Sequence, residues 1–293
     1  MRWKTRAIAM VVVVVLMAVS FVIPVSAISD EEVAAPSAIL MEPNTGKILY
    51  EKNANELRPC ASITKVMTLV LVMEAIDSGK ISLDDQVTAS AHAASMGGSD
   101  IWLKEGETMS VNDLIKATVI MSANDAAVVL AEHVYGTEDE FVKQMNIRAK
   151  QLGMNDTTFK NCNGLDEDGH LTTAHDVALM SAELIKHEKI FDYTLTWMDY
   201  VRDGETQLVN TNKLIRSYKG ITGLKTGTTS QAGSCISATA KRDNLSLVAV
   251  VLGCSTTDER FTSASTLLDY GFANFSFASL QMPELGTRSE EHT

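Results

Sequence analysis

Residues 62 to 76 read SITKVMTLVLVMEAI, the longest apolar stretch beyond residue 27 that holds neither glycine nor proline. Closed by Asp77-Ser78-Gly79, it predicts a buried helix starting at Ser62, and the rest of the chain has to build a core around it. Ser62 and Lys65 lie one turn apart on one face, about 5–6 Å apart at Cβ, so the amine reaches the hydroxyl. The helix start also points free backbone N–H groups at anything attached to Ser62. Ser62 is therefore a candidate nucleophile and Lys65 its base. The bland alternative is an N-cap serine followed by an exposed lysine, and other parts of the sequence must decide between the two.

The ends narrow the setting. Arg2, Lys4 and Arg6 precede the apolar run Ala7 to Val19 and then Pro24-Val25-Ser26-Ala27, the pattern of a secretory signal cleaved after Ala27. Residues 1–27 are expected to be removed and the protein to be secreted, working in the cell wall or at the outer face of the membrane. Losing those three basic residues moves the net charge from −12 to −15. A surface this acidic does not suit nucleic acid, whose phosphates need cations. Past Pro283 the chain closes on Arg288-Ser289-Glu290-Glu291-His292-Thr293, which resembles a translated sequencing adapter. Residues 278–293 are read as a truncated linker with an artefactual tail. Cys60, Cys162, Cys235 and Cys254 form no C-x-x-C pair and have no histidine spacing suited to zinc, so no metal is expected. Cys235 and Cys254 flank a hairpin and could approach each other, yet buried free thiols are expected.

Along the chain, Ser37 to Glu42, the turn Pro43-Asn44-Thr45-Gly46 and Lys47 to Lys52 read as a hairpin laid beside the Ser62 helix. Loops and short pieces fill 80–109. Helices are predicted over 114–121 with Ser110 as cap, 125–135, 138–152 and 177–187. Extended segments then meet at Asp203-Gly204, and three strands follow over 223–229, 234–240 and 245–253. The last is nearly all apolar and therefore central. A helix over 260–270 closes the chain. The fold class is α+β: an antiparallel five-stranded sheet flanked by helices, with an inserted all-helical lobe, spanning residues 28–277 as one catalytic domain.

Ser-x-Asn occurs as Ser110-Val111-Asn112 and as Ser122-Ala123-Asn124. The first is explained as a helix cap, whereas the second sits between two helices where side chains can face a cleft. Lys225-Thr226-Gly227 lies on a predicted strand, and Gly223 and Gly227 would let a substrate backbone lie alongside. S-x-x-K, S-x-N and K-T-G in this order match the motif set of penicillin-binding proteins and serine β-lactamases. With ASITKVMTLVLVMEAID, SANDAAVVLAEHVYG, NGLDEDGHLTTAHDVALM and TGLKTGTTSQAG, the chain resembles the D-alanyl-D-alanine carboxypeptidases of low molecular mass, of Gram-positive type, over residues 33 to 277. The fold implied is that of the β-lactamases and DD-transpeptidases.

The resemblance implies a serine peptidase that trims terminal D-alanine from peptidoglycan stem pentapeptides through a Ser62 acyl-enzyme, that penicillins and other β-lactams acylate, and that needs no cofactor. Lys65 is the base, its pKa depressed by burial and by the second cation Lys225. Ser122 relays a proton between Lys65 and the leaving amine, and Asn124 holds the substrate amide or the lysine. Lys225, Thr226 and Thr228 take the terminal carboxylate beside Gly227, and the N–H groups of Ser62 and Thr228 form the oxyanion hole. The alternatives are a β-lactamase and a catalytically idle peptidoglycan-binding module. The first lacks the deacylating Glu-x-x-Leu-Asn, since Glu205 to Asn210 is off register by one residue, and the intact motif set argues against the second. The loop Ser95 to Leu103 resembles one that borders the site in relatives. Relatives continue into a β-rich domain and an amphipathic anchor, so membrane contact is expected only through such an anchor, missing from this chain. Four histidines, His92, His133, His175 and His187, fall near helix ends and read as solvated or capping. Asp166-Glu167-Asp168 reads as a polar loop rather than a calcium site.

Overall fold

The computed structural model describes residues 28–276. The signal segment and the tail expected from the sequence lie outside them.

Five antiparallel strands form the main sheet: β1 (Ser37–Glu42), β2 (Lys47–Lys52), β7 (Ile221–Thr229), β8 (Gly233–Arg242) and β9 (Leu245–Cys254), in the order β2-β1-β9-β8-β7. β9 is central, as its unbroken apolar run requires. Val248, Val250 and Leu252 face one core, and Leu247, Ala249 and Val251 face the other. β1 is divided likewise, with Ile39 and Met41 on the first side and Ala38 and Leu40 on the second. Register is fixed by such two-sided burial, because a one-residue slip would exchange every side chain between faces. Ile39 sits opposite Val250, and Lys225 opposite Ser237.

Between β2 and β7 the chain builds the helical lobe. It contains α1 (Lys65–Asp77), β3 (Gln86–Thr88), α2 (Ala91–Ala94), β4 (Thr108–Ser110), α3 (Val111–Lys116), α4 (Asn124–Tyr135), α5 (Glu138–Gln151), α6 (Ala174–Leu184), α7 (Phe191–Thr194), β5 (Met198–Val201), β6 (Thr206–Val209) and α8 (Leu214–Ser217). Two short ribbons, β3–β4 and β5–β6, accompany the helices, the second turning at Asp203-Gly204 as the sequence suggests. The closing helix α9 (Thr257–Asn274) starts in a capping box between Thr256 and Glu259 and covers the second face with Phe261, Ala264, Leu267 and Leu268. Among the described residues no helix is long and apolar enough to cross a membrane.

Every residue of α1 from Lys65 to Met73 is buried, so this helix is a central post that reaches solvent only in its last turn. It ends at Gly79, at φ +72. Its first turn departs from expectation: Ala61–Thr64 is a 3-10 turn entered through Ala61 at φ +49, and the α-helix proper begins at Lys65. Tight 3-10 turns at helix starts are common. Here Thr64 is bonded to the buried His170 ring at 2.8 Å, and the turn packs against β7. The β1–β2 hairpin, expected beside Ser62, instead fills the far edge of the sheet from β7. All four cysteines are free and buried.

Candidate active site

Three segments converge at the end of the 3-10 turn. Lys65 Nζ donates to Ser62 Oγ at 3.0 Å, to Asn124 Oδ1 at 2.6 Å and to the Asn163 carbonyl at 2.7 Å. The amine is fully buried while Ser62 keeps partial exposure. Burial pushes the Lys65 pKa from 10.5 down to about 7, against the opposing pull of Cys162, Asp100 and Asp125. Lys225, expected from the sequence to lower Lys65, is itself depressed. Burial first, then the charges of Lys65 and Arg260, hold it well below its ordinary value. Neither lysine has a carboxylate within ion-pair distance among the described residues, so two protonated amines here would be uncompensated.

The second segment is made by an irregular helix. α3 widens into a π-turn over Ala117–Met121 and breaks at Ser122, which sits at φ +67, before α4 starts at Asn124. A wide turn followed by a left-handed residue stops the ladder and turns the Ser122 hydroxyl toward β7, where it accepts from Lys225 Nζ at 2.8 Å. Asn124 is held from the other side. Its backbone N–H and its Nδ2 donate to the carbonyls of Ser99 and Gly97, each at 2.6 Å, which aims Oδ1 at Lys65. The contacts therefore run in two sets, Ser62–Lys65–Asn124 and Ser122–Lys225. The duplicate Ser-x-Asn resolves as read: Ser110 caps α3 through the Asp113 N–H at 3.1 Å, and Asn112 accepts from Tyr193.

The third segment is β7, the edge strand of the sheet, whose outer backbone groups can pair with an extended ligand. Thr226 shares a 2.7 Å hydrogen bond with Thr211, and Thr228 Oγ1 accepts from Arg260 Nη1 at 2.8 Å. The two glycines allow close packing within the protein itself. A Cβ on Gly223 would lie 2.9 Å from Thr194 Cβ, and one on Gly227 would lie 2.9 Å from both the Cys60 carbonyl and the Ser62 nitrogen. Gly227→Ala is therefore expected to push β7 off the Ser62 turn and cut the acylation rate constant by about 10²–10³, the worth of one misplaced oxyanion donor. Stopped-flow acylation by a chromogenic cephalosporin measures it.

The sequence reading missed Asn163, Thr211 and Arg260. Asn163 contributes only a backbone carbonyl, delivered by a turn whose Gly164 sits at φ +86; a Cβ there would strike the Ala61 carbonyl at 2.0 Å. Arg260, beside Asp258 and Glu259, reads as helix surface charge, yet it is buried and its Nη1 donates to the Gly227 carbonyl at 3.1 Å. Its buried Nε has no partner. Glu205 is exposed at the β5–β6 turn. His92, His133, His175 and His187 each lie against a carboxylate, Glu138, Asp85, Asp176 and Asp77 respectively. The Asp166 carboxylate accepts from Thr229 and Ser230, tying its loop to the end of β7.

Known proteins resemble this chain in sequence and in fold. A family model described as D-alanyl-D-alanine carboxypeptidase covers residues 24–256. The chain is 49% identical over 244 residues to the D-alanyl-D-alanine carboxypeptidase DacF of Bacillus subtilis, covering 82% of this chain and 63% of that one. It is 38% identical over 264 residues to DacC of Escherichia coli, covering 86% and 66%. The chain thus spans just under two thirds of the length of these curated relatives. Among solved structures it superposes on penicillin-binding protein 6B of Escherichia coli with a TM-score of 0.82 at 34% identity, covering 89% and 83% of the two chains. Penicillin-binding protein D2 of Listeria monocytogenes, solved in an ampicillin-bound form, gives 0.75 at 36% identity, covering 82% and 98%. By sequence and by fold, the chain belongs to the D-alanyl-D-alanine carboxypeptidase family.

Proposed function

We propose that this chain is a serine-type D-Ala-D-Ala carboxypeptidase that removes the terminal D-alanine of peptidoglycan stem peptides outside the cytoplasmic membrane, and that β-lactams acylate it. The observation that carries the reading is the buried Lys65 amine 3.0 Å from the partly exposed Ser62 hydroxyl, with its pKa brought to about 7. A lysine so placed is neutral often enough at physiological pH to take a proton.

Ser62 Oγ attacks the carbonyl carbon of the penultimate D-alanine as its proton passes to Lys65 Nζ. The N–H groups of Ser62 and Thr228 hold the resulting oxyanion. The C–N bond then breaks, and Ser122 supplies the proton that the departing amine takes, drawing in turn on the lysine pair. Water attacks the Ser62 ester and releases the shortened peptide. Lys225, with Thr226 and Thr228, receives the terminal carboxylate. That negative charge favours the protonated Lys225, offsetting the burial and the Lys65 and Arg260 charges that hold its pKa down. Asn124 steadies Lys65, and residues 28–277 act as the catalytic unit.

Purified protein mixed with penicillin is expected to gain the mass of the whole drug, with the adduct on the tryptic peptide carrying Ser62. The same sample is expected to release D-alanine from an acyl-D-Ala-D-Ala peptide. Rapid drug turnover without a lasting adduct, or no adduct from folded protein, would overturn the reading.

A further inference from the structure

Trp102 is the most exposed large apolar side chain among the described residues, at 73%, and its backbone sits at φ +54. A bulky residue adopts that conformation only where its surroundings impose it. Here they do. The N–H groups of Ile101 and Leu103, on either side of the indole, donate to the two oxygens of the Asp125 carboxylate at 3.2 and 2.9 Å. The Ile101 carbonyl accepts from Arg202 Nη1 at 2.8 Å, and the side chains of Ile101 and Leu103 are buried. The chain is fixed on both sides of Trp102, so the indole is held out in solvent. The same loop carries the Gly97 and Ser99 carbonyls that bind Asn124, so Trp102 stands three residues along the chain from a segment that touches the partner of Lys65.

Beside the indole lies an open pocket of about 630 Å³ bounded also by Lys104, Glu105, Glu107 and Arg202. One ion pair forms within the wall, Arg202 Nε donating to Glu107 Oε1 at 2.6 Å, the Lys104 backbone N–H donates to Glu107 Oε2 at 3.0 Å, and the Lys104 and Glu105 side chains add one charge of each sign. A flat apolar plate edged by hydrogen-bonding groups of balanced charge fits a neutral, polyhydroxylated ring. It does not fit an anionic lipid surface, which the glutamates and the net charge of −12 would repel.

We propose that Trp102 and this pocket form a glycan subsite. One N-acetylated pyranose of the cell-wall strand lays its apolar face on the indole, its hydroxyl and amide groups bond to the rim, and the attached stem peptide is presented to Ser62. The inference rests on the peptidase reading above. It is tested by comparing D-alanine release from soluble glycan-linked pentapeptide polymer with release from a short acyl-D-Ala-D-Ala peptide, in wild type, Trp102→Ala and Trp102→Phe. The ratio of kcat/KM on polymer to that on peptide is expected to fall about tenfold in Trp102→Ala, through KM, as loss of one stacking contact implies. Trp102→Phe, which keeps an aromatic plate, is expected to restore most of it. An unchanged ratio would overturn the proposal. So would equal losses on both substrates and in penicillin acylation, which would make Trp102 a prop for the loop. A wild-type protein inactive on the short peptide would instead overturn the peptidase reading on which the subsite rests.

Discussion

Ser62→Ala is expected to abolish the penicillin adduct and lower D-alanine release by about 10⁴–10⁶, the scale seen when a nucleophile is removed from a unit that works together. The geometry separates this loss from unfolding. Ser62 Oγ has one side-chain partner, Lys65, and without it the amine keeps the Asn124 and Asn163 oxygens. The cost in stability should be about 1 kcal/mol, the net worth of one hydrogen bond. Intact-mass spectrometry reads the adduct and thermal melting reads the fold; a variant that still forms the adduct would show that another group attacks.

Lys65→Met is expected to reduce acylation by about 10²–10⁴, the range for loss of a positioned base, and to change its pH profile. In the wild type the amine must be neutral to accept the Ser62 proton, so the acylation rate should climb as pH rises through about 7 and level off above. In the variant that limb should vanish. Folding carries a linked signature. Because the folded pKa lies below the unfolded value, the unfolded chain binds more protons between pH 7 and 10.5, and the Lys65 contribution to stability rises with pH across that window. Below it the full cost of a buried cation is paid. Acylation rates by stopped flow from pH 5 to 9 test the first claim; a profile flat through 7 in the wild type would assign the proton to another group.

Much of this site was legible because its chemistry needs few residue types at fixed spacings. Ser62 and Lys65 one turn apart, and a lysine on a strand ending in Gly-Thr, are local patterns. Ser110 and Ser122 could be told apart by context: Ser110 opens a predicted helix and its hydroxyl accepts from the Asp113 N–H, whereas Ser122 lies between two helices. Asn163 could not be found this way, because it acts through a backbone carbonyl that any residue carries. Arg260 could not either: whether a helix arginine faces water or a neighbouring strand is decided by packing, and α9 buries this one against the Gly227 carbonyl. Which protein groups approach Gly223 and Gly227 was hidden for the same reason, since a missing Cβ says that something comes close but not what.

The sequence by itself determined the order of the elements and the central position of β9, and its motifs picked out Ser62, Lys65, Ser122, Asn124 and Lys225 as the candidate reacting set. The elements follow from periodicity, capping and apolar runs, which act over a few residues, and the candidate set follows from motif order and the family resemblance that it carries. Only the tertiary structure decided that Ser62 sits in a 3-10 turn against β7, that Ser122 meets Lys225 while Asn124 meets Lys65, and that burial depresses both lysines. Those outcomes depend on burial and on distances between segments about 60 to 160 residues apart in the chain, where desolvation and Coulomb energy vary steeply with position.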